Sequence, residues 1–534
     1  MHSASHSSRA VGATNRLKDD VSPYSGLCVT CVETCVGLCE VGLSAIRGPE
    51  VIYPIPFGNV TAASQKDYPV HWGDFNILGT AVGAHGIQAD SDKAIFPNVN
   101  TEIYLGAKNG KPGIHCRMPL TIPGLGSTDI ARKMWPGLAA GAALSGVVLT
   151  VGENVVGMDE QATIKNGKVV SSPALAARVS QYNEWKDGDY GAIVIQENVE
   201  DYRLGVLEYA IKELGVTAVE MKWGQGAKNI GGEVKIDRLA RAKMLRERGY
   251  IVLPDPLDNS VAEAFERKAF REFERHSRLG MVSEEAFAQR AEQLRKAGAK
   301  YLFLKTGAYR FADLARAIAY CSKYGVDVLT IDAAGGGTGM SPWRMMNEWG
   351  TPAIETYSKT YEYAKRLSDA GKHVPDIVFA GGFTMEDHIF KGIALGSPFV
   401  KAIGMARGPL TSCTAANALW YRIGSETDQR LVERFGRTKE EVFFGAIKLL
   451  PQLGEEMFDK LPAGGLGVYT YFQRIDQGFK QLMAGARKFY LCNEAARPAR
   501  EDIVTLTPEA SAISGIPMVS DHDQDEADQV LSSV

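Results

Sequence analysis

Asp376-Ile377-Val378-Phe379-Ala380-Gly381-Gly382-Phe383-Thr384 and, after a helical interval, Pro398-Phe399-Val400-Lys401-Ala402-Ile403-Gly404-Met405-Ala406-Arg407-Gly408 repeat one pattern. Each is a short β-branched or aromatic run that ends in glycine and leads into a segment with apolar residues at helical spacing. Two such units in succession read as parallel strands joined by helical crossovers.

Working outward, the same unit recurs. Strands are expected at Met118–Ile122, Gly146–Val151, Ala192–Gln196, Ala218–Lys222, Tyr301–Lys305, Val326–Ile331, Asp376–Ala380 and Pro398–Ile403. Helices are expected at Leu204–Leu214, Ser283–Ala297, Arg310–Tyr324, Ile354–Ala370 and Thr384–Leu395, the last with Thr384 and Asp387 as a capped start. Eight strand–helix units suit an α/β fold closed as a (β/α)₈ TIM barrel over residues 111–430, with an open doubly wound sheet as the alternative. The chain then divides into a disordered N-terminus (1–26), a cysteine-rich region (27–110), the barrel, a helical extension (431–507) and an acidic tail (508–534) expected to be disordered or laid over a neighbour. The charged stretch Asp258–Arg295 reads as an exposed helical insertion. Met134–Gly152 is uncharged, but Pro136 and its length make it a buried helix followed by a strand rather than a bilayer span.

Composition narrows the function classes. With 534 residues, 45% of them hydrophobic, and a net charge of −4, the chain has no global attraction for phosphate backbones or anionic lipid. A soluble catalyst or binder of small polar molecules is expected, with neither nucleic-acid nor membrane partners. Met1–Gly26 lacks the apolar core of a secretory signal, so the cytoplasm is the expected compartment.

In such a barrel the active face lies at the carboxyl ends of the strands, and phosphate binds at the loops after strands seven and eight. Gly381, Gly382 and Gly404 let backbone amides approach phosphate oxygens, and Arg407 adds charge at a helix start. After strand six, Gly335-Gly336-Gly337-Thr338 forms a loop flexible enough to pass close to a planar cofactor. Lys305, at the end of Tyr301–Leu304, projects into the mouth, where an ammonium stabilises charge on a reduced ring. Glu153, Gln196 and Asp332 end or follow other strands and are further candidates. His71, His85 and His115 are each isolated, the usual mark of a structural histidine.

Eight cysteines divide into a cluster, Cys28, Cys31, Cys35 and Cys39, and four scattered thiols at 116, 321, 413 and 492. Four thiolates in twelve residues suffice for a [4Fe–4S] cluster if the segment folds as a loop. Zinc, or a plain core-facing helical stripe, are the alternatives.

The motifs also carry a resemblance. Met221-Lys222-Trp223-Gly224-Gln225-Gly226-Ala227-Lys228-Asn229-Ile230-Gly231-Gly232-Glu233 resembles the strand-four loop I-K-x-x-Q-G-A-K-P-G-E-G-G-Q of the glutamate synthase family. Ile331–Pro342 resembles its I-S-G-x-D-G-G-T-G-A-S-P. Phe379–Gly382 is similar to its T-D-G-G, Leu304–Thr306 to its V-K-L, and Leu149–Asn154 to its T-x-S-G-E-G-G.

The resemblance implies an FMN-binding synthase barrel without an amidotransferase domain, in which Lys228 helps to hold a dicarboxylate above the flavin. Lys228, Lys305 and Glu153 are then the expected catalytic residues. Gln196, Lys305, Gly335, Gly336, Gly337, Thr338, Gly381, Gly382, Gly404 and Arg407 are the expected FMN ligands. The implied reaction moves hydride between FMN and an imine or amino-acid-like substrate. Electrons come through the N-terminal cluster from a donor such as ferredoxin or a reductase subunit, in a homo- or hetero-oligomer. An amine substrate, or a flavin and iron–sulfur scaffold subunit of a larger complex, are the alternative readings. Two departures bear on this. The strand-four loop is one residue shorter and carries Glu233 in place of glutamine, a carboxylate that repels an anionic substrate unless protonated or paired. The family's three cluster cysteines after strand eight are reduced here to Cys413.

Overall fold

The computed structural model describes residues 33, 40–52, 68–88, 90–108, 110–226, 233–278, 280, 283–334, 341–425 and 429–534. Eight strands close into a parallel barrel: β1 (Leu120–Leu125), β2 (Val148–Val151), β3 (Ile193–Glu197), β4 (Ala218–Lys222), β5 (Tyr301–Thr306), β6 (Val328–Asp332), β7 (Asp376–Ala380) and β8 (Val400–Gly404). The ring closes where Ile403 and Gly404 of β8 pair with Leu120 and Thr121 of β1. Every expected strand is present, with no end shifted by more than three residues, and the open-sheet alternative falls away.

The covering helices that matter below are α1 (Asp129–Leu144), α2 (Val206–Leu214), α3 (Glu284–Ala297), α4 (Phe311–Tyr324), α5 (Ala353–Asp369), α6 (Glu386–Gly396) and α7 (Arg407–Gly424). Helix α1 starts at Thr128, whose hydroxyl accepts from the Ala131 amide, and it tolerates Pro136 inside. A long helix of the C-terminal extension, α8 (Ala463–Gly485), lies on α1 and α7. The approach requires glycine: a Cβ on Gly141 would fall 2.4 Å from the Val468 Cβ, and one on Gly137 would fall 2.6 Å from the Cys413 sulfur.

Three expectations are corrected. The Asp258–Arg295 stretch is not an all-helical exposed insertion. Phe273–His276 is the central strand of an antiparallel sheet between Glu233–Ile236 and Ile251–Leu253. That sheet has its own small core of Met158, Ile236, Ala242, Leu245, Tyr250, Val252 and Phe273. Apolar residues separated by charges at period two had been hidden within a helix-forming composition. Second, α6 begins at Glu386 with Met385 as its cap and no side-chain cap bond; Thr384 turns instead to His388 Nδ1. Third, the tail is ordered past Pro508: helix Pro508–Ser514 packs Ala510 and Ser514, and Ile516 is buried in the main core.

Both extensions are tied to the barrel. Phe75–Ile77 pairs antiparallel with Ile503–Thr505. Just before it, a single turn, Trp72–Asp74, is closed by reciprocal bonds between His71 and Asp74. It delivers Trp72 onto Tyr357 of α5, rings stacked at 5.9 Å, and Tyr357 in turn stacks on Phe379 of β7 at 4.2 Å. Lys391 of α6 donates to the Trp72 carbonyl at 2.9 Å.

Replacing the buried Trp72 with alanine is expected to destabilise the protein by about 3–5 kcal/mol, with phenylalanine recovering part of the loss. Denaturant unfolding followed by circular dichroism measures both, and an unchanged midpoint for Trp72→Ala would refute the stack as an anchor.

Candidate active site

Strand β4, Ala218-Val219-Glu220-Met221-Lys222, alternates in a way that a fully covered strand of apolar residues does not. Val219 and Met221 face the helices, so Glu220 and Lys222 point into the barrel. In register with them lie Gln196 beside Glu220, Phe303 beside Glu220, and Lys305 beside Lys222. Two lysines thus stand side by side at the carboxyl end of the barrel, and each must find an acid. Lys222 Nζ donates to Glu153 Oε1 at 2.7 Å and to Gln225 Oε1 at 2.9 Å. Lys305 Nζ lies 3.0 Å from Asp332 Oδ2 at the end of β6. Gln196 Nε2 donates to Glu220 Oε1 at 2.5 Å, leaving Gln196 Oε1 buried with no partner among the described residues.

The electrostatics follow from these pairs. Burial pushes the Glu153 carboxyl up, but the attraction and hydrogen bond of Lys222 overcome it and bring the group down to about 2. For Lys305, burial favours the neutral amine, yet Asp332 and Glu220 outweigh it and hold the ammonium above its ordinary 10.5. Burial raises Glu220, against the pull of Lys305 and Gln196. Lys305 is therefore a fixed positive charge at neutral pH, and Glu153 a fixed negative one.

The opposite side of the mouth is small. Ala380 at the end of β7 is in register with Gly404 of β8, and Gly404 with Thr121 of β1. A Cβ on Gly404 would fall 2.9 Å from Pro123 and 3.0 Å from Ala380. Gly381 (φ 108°) and Gly382 (φ 86°) adopt backbone that side chains avoid, and Gly382 faces open space. The Tyr357 hydroxyl fixes this turn by donating to the carbonyls of Ala380 at 2.7 Å and Gly381 at 3.0 Å. From α8, the Tyr471 hydroxyl donates to the Thr384 carbonyl and occupies the space beside Gly408, bridging the loops after β7 and β8. Arg407 stands exposed at the first position of α7.

The structure therefore gathers Glu153, Gln196, Lys305, Asp332, Gly381, Gly382, Gly404 and Arg407 at one end of the barrel. Lys228 and the loop Gly335, Gly336, Gly337 and Thr338 lie outside the described residues, as do Cys28, Cys31, Cys35 and Cys39. Among the described residues no group of three or more His, Cys, Asp or Glu is arranged to hold a metal. Cys116, Cys321 and Cys413 are buried thiols, and Cys492 donates to the Glu102 carbonyl at 3.0 Å. His71 caps a turn, His85 bridges to Lys488, and His115 stacks between Tyr104 and Tyr190, so none enters the mouth. Glu233 is paired: His276 Nδ1 lies 3.3 Å away, and hydrogen bonds to Glu233 and Glu274 raise that imidazole to about 9, so it is cationic at neutral pH.

Lys222 and Glu220 belong to the site, but in sequence Lys222 was read only as part of a motif and Glu220 only as a position within an expected strand. Their signal was the charge at alternate positions of a strand otherwise destined for complete burial. A second layer was not legible at all. Asn154, at φ 67°, accepts from the Tyr250 hydroxyl at 3.1 Å and donates its amide to Asp201 at 2.8 Å, which fixes the backbone beside Glu153.

Residues 275–419, from the inserted sheet through β8 and into α7, match the family model described as the conserved region in glutamate synthase. A "glutamate synthase large subunit-like protein" of Rhizobium meliloti is 24% identical over 352 residues, 65% of this chain and 66% of that protein. The match thus spans just under two thirds of that relative. Among solved structures, (S)-mandelate dehydrogenase of Pseudomonas putida aligns with 81% of this chain and 88% of its own at 14% identity and a TM-score of 0.42. A flavocytochrome b2 variant aligns with 83% and 78% at 12% identity and 0.44.

Removing one partner of the buried Lys222–Glu153 pair, as in Lys222→Met, is expected to cost about 3–5 kcal/mol, and Lys222→Met with Glu153→Leu distinctly less. Because the Glu153 carboxyl falls from 4.5 to about 2, its stabilisation is complete above pH 4.5 and is lost as the pH drops toward 2. Denaturant unfolding of the wild type and both variants between pH 2 and 7 tests this; a double variant as unstable as the single one would contradict it.

Proposed function

We propose, for a chain that carries the conserved region of glutamate synthase across the second half of its barrel, that it is an FMN-dependent oxidoreductase exchanging hydride with an imine or amino-acid-like substrate. The observation that carries this reading is the asymmetry of the mouth: glycine and alanine along β7 and β8, and a buried, permanently charged lysine opposite. The residues suit the cofactor. Gly381, Gly382 and Gly404, with Arg407 at the helix start, offer backbone amides and a cation to a phosphate. Gln196 Oε1, buried without a partner, is the acceptor that the imide N–H of a flavin ring needs.

FMN, when bound, supplies reversible hydride transfer. Lys305, held protonated by Asp332 and Glu220, offers positive charge where electron density accumulates on reduction. Glu153, ionised throughout the neutral range, favours a cationic iminium or ammonium group beside it. Lys222 keeps Glu153 in place and excludes its protonation. Lys228 is assigned to the acidic end of the substrate, and the Glu233–His276 pair removes the repulsion that a bare carboxylate in the same loop would exert.

Electron entry through a [4Fe–4S] cluster on Cys28, Cys31, Cys35 and Cys39, a ferredoxin or reductase donor, an oligomeric state and a cytoplasmic location complete the proposal. No helix among the described residues is long and apolar enough to cross a membrane.

FMN added to the protein is expected to lose its fluorescence stoichiometrically, and Lys305→Met is expected to retain FMN while slowing flavin reduction about 100-fold or more. Flavin absorbance under anaerobic mixing with amino acids, amines and 2-hydroxy acids reads the substrate class; no FMN binding by folded protein would overturn the reading. Anaerobically purified protein should contain about four iron and four sulfide per chain if the cysteines hold a cubane, and iron-free protein with flavin bound would remove the cluster from the proposal.

A further inference from the structure

Helix α8 belongs to the C-terminal extension, yet it reaches the two glycine loops that the flavin reading gives to a phosphate. Tyr471, Arg474 and Gly478 stand three and four residues apart and so share one face of that helix. The Tyr471 hydroxyl donates to the Thr384 carbonyl in the loop after β7. The same oxygen lies 3.9 Å from the Met405 sulfur just after β8, and a Cβ on Gly408 would fall 2.6 Å from it. Arg474 pairs with Glu386, the first residue of α6, and a Cβ on Gly478 would fall 2.8 Å from the Glu386 side chain. The extension therefore grips the start of α6 and the start of α7 at once.

The amides of Gly382 and Phe383 in the first loop, and of Arg407 and Gly408 in the second, donate to no partner among the described residues. Donors on two separate loops can meet one phosphate only while the loops keep a fixed spacing. The first loop does not set that spacing by itself, because its two glycines lack the Cβ that would confine the backbone. Tyr357 pins it to α5 through the carbonyls of Ala380 and Gly381. Tyr471 adds the contact that spans both loops. Burial pushes the Tyr471 hydroxyl up to about 12, so it keeps its proton and goes on donating throughout the neutral range. Arg474, one turn along, draws the Glu386 carboxylate onto α8; left free at the start of α6, that charge would repel a phosphate bound before it.

We propose that Tyr471 is a positioning residue for the flavin phosphate: by tying the loop after β7 to the loop after β8, it sets the spacing of the amides that receive that phosphate. The C-terminal extension is thereby part of the cofactor site and not only a cover for α1 and α7. This inference rests on the flavin reading of the mouth. Loops already held in place lose less conformational freedom on binding, so the tie is read as affinity. Its effect is confined to the phosphate end, because Gln196 and Lys305, the groups assigned to the ring, stand on β3 and β5, which neighbour neither β7 nor β8.

The test compares FMN with riboflavin, which has the same ring and no phosphate, on the flavin-free full chain of the wild type and of Tyr471→Phe, followed by fluorescence quenching. FMN is expected to bind roughly five- to tenfold more weakly to Tyr471→Phe, the effect of one lost hydrogen bond. Riboflavin is expected to bind both proteins equally, and the midpoint potential of bound FMN to be the same in both. Equal FMN affinity in the two proteins would overturn the proposal. So would an equal loss for FMN and riboflavin, which marks a general structural defect, or a changed potential, which places the effect at the ring. A wild type that binds no FMN would overturn the flavin reading and the proposal with it, whereas the other three adverse outcomes leave that reading standing.

Discussion

Lys222 and Lys305 are in register on neighbouring strands, and the organisation of the barrel mouth depends on that one repulsive juxtaposition. Two ammonium groups brought that close inside a protein must be compensated by acids or lose their protons. Here compensation is divided by direction around the ring: Lys222 turns toward β2 to take Glu153, and Lys305 turns toward β6 to take Asp332. The consequence is that the buried charges of the mouth crowd into the arc from β2 to β6. The arc from β7 through β1 is left to Ala380, Gly404 and Thr121. The room in the mouth arises from where the charges had to go.

Much of this was legible because parallel barrels advertise themselves. Strands covered on both faces read as apolar runs, and each of the eight was found within three residues of its place. The glycine loops after β7 and β8 were legible for a similar reason, since Gly381 and Gly382 stand at backbone angles that few residues adopt. What was not legible was pairing. Nothing in the string Leu149–Glu153 says that Glu153 meets Lys222 rather than a substrate, because that choice depends on a register between strands some seventy residues apart. The inserted sheet escaped for a different reason. Phe270-Arg271-Glu272-Phe273-Glu274-Arg275-His276 has the charge density of an exposed helix, and only its partners make Phe273 and Arg275 inward-facing.

That sheet divides the chain's chemistry in two. One side of the mouth is made by barrel strands and by loops braced through Tyr357 and Tyr471, whereas the inserted sheet packs on a core of its own. Tyr250 links them, its hydroxyl on Asn154 and its ring filling the place that a side chain at Gly157 would need. The inserted sheet can therefore diverge while the strands that present Lys222 and Lys305 stay unaltered. His276 and Glu233 face each other on that sheet, away from the barrel's own register.

The pairing of Phe75–Ile77 with Ile503–Thr505 joins segments roughly 430 residues apart. A ribosome adding about 5–20 residues each second presents the first of these strands on the order of 20–90 s before its partner exists. Throughout that interval the early strand has an unsatisfied edge, and Trp72 beside it must also await Tyr357. The clasp can close only once residues 503–505 have been synthesised. It thereby serves as a late seal, and a product cut short before residue 503 keeps this edge open to chaperones and proteases, which the paired strands do not.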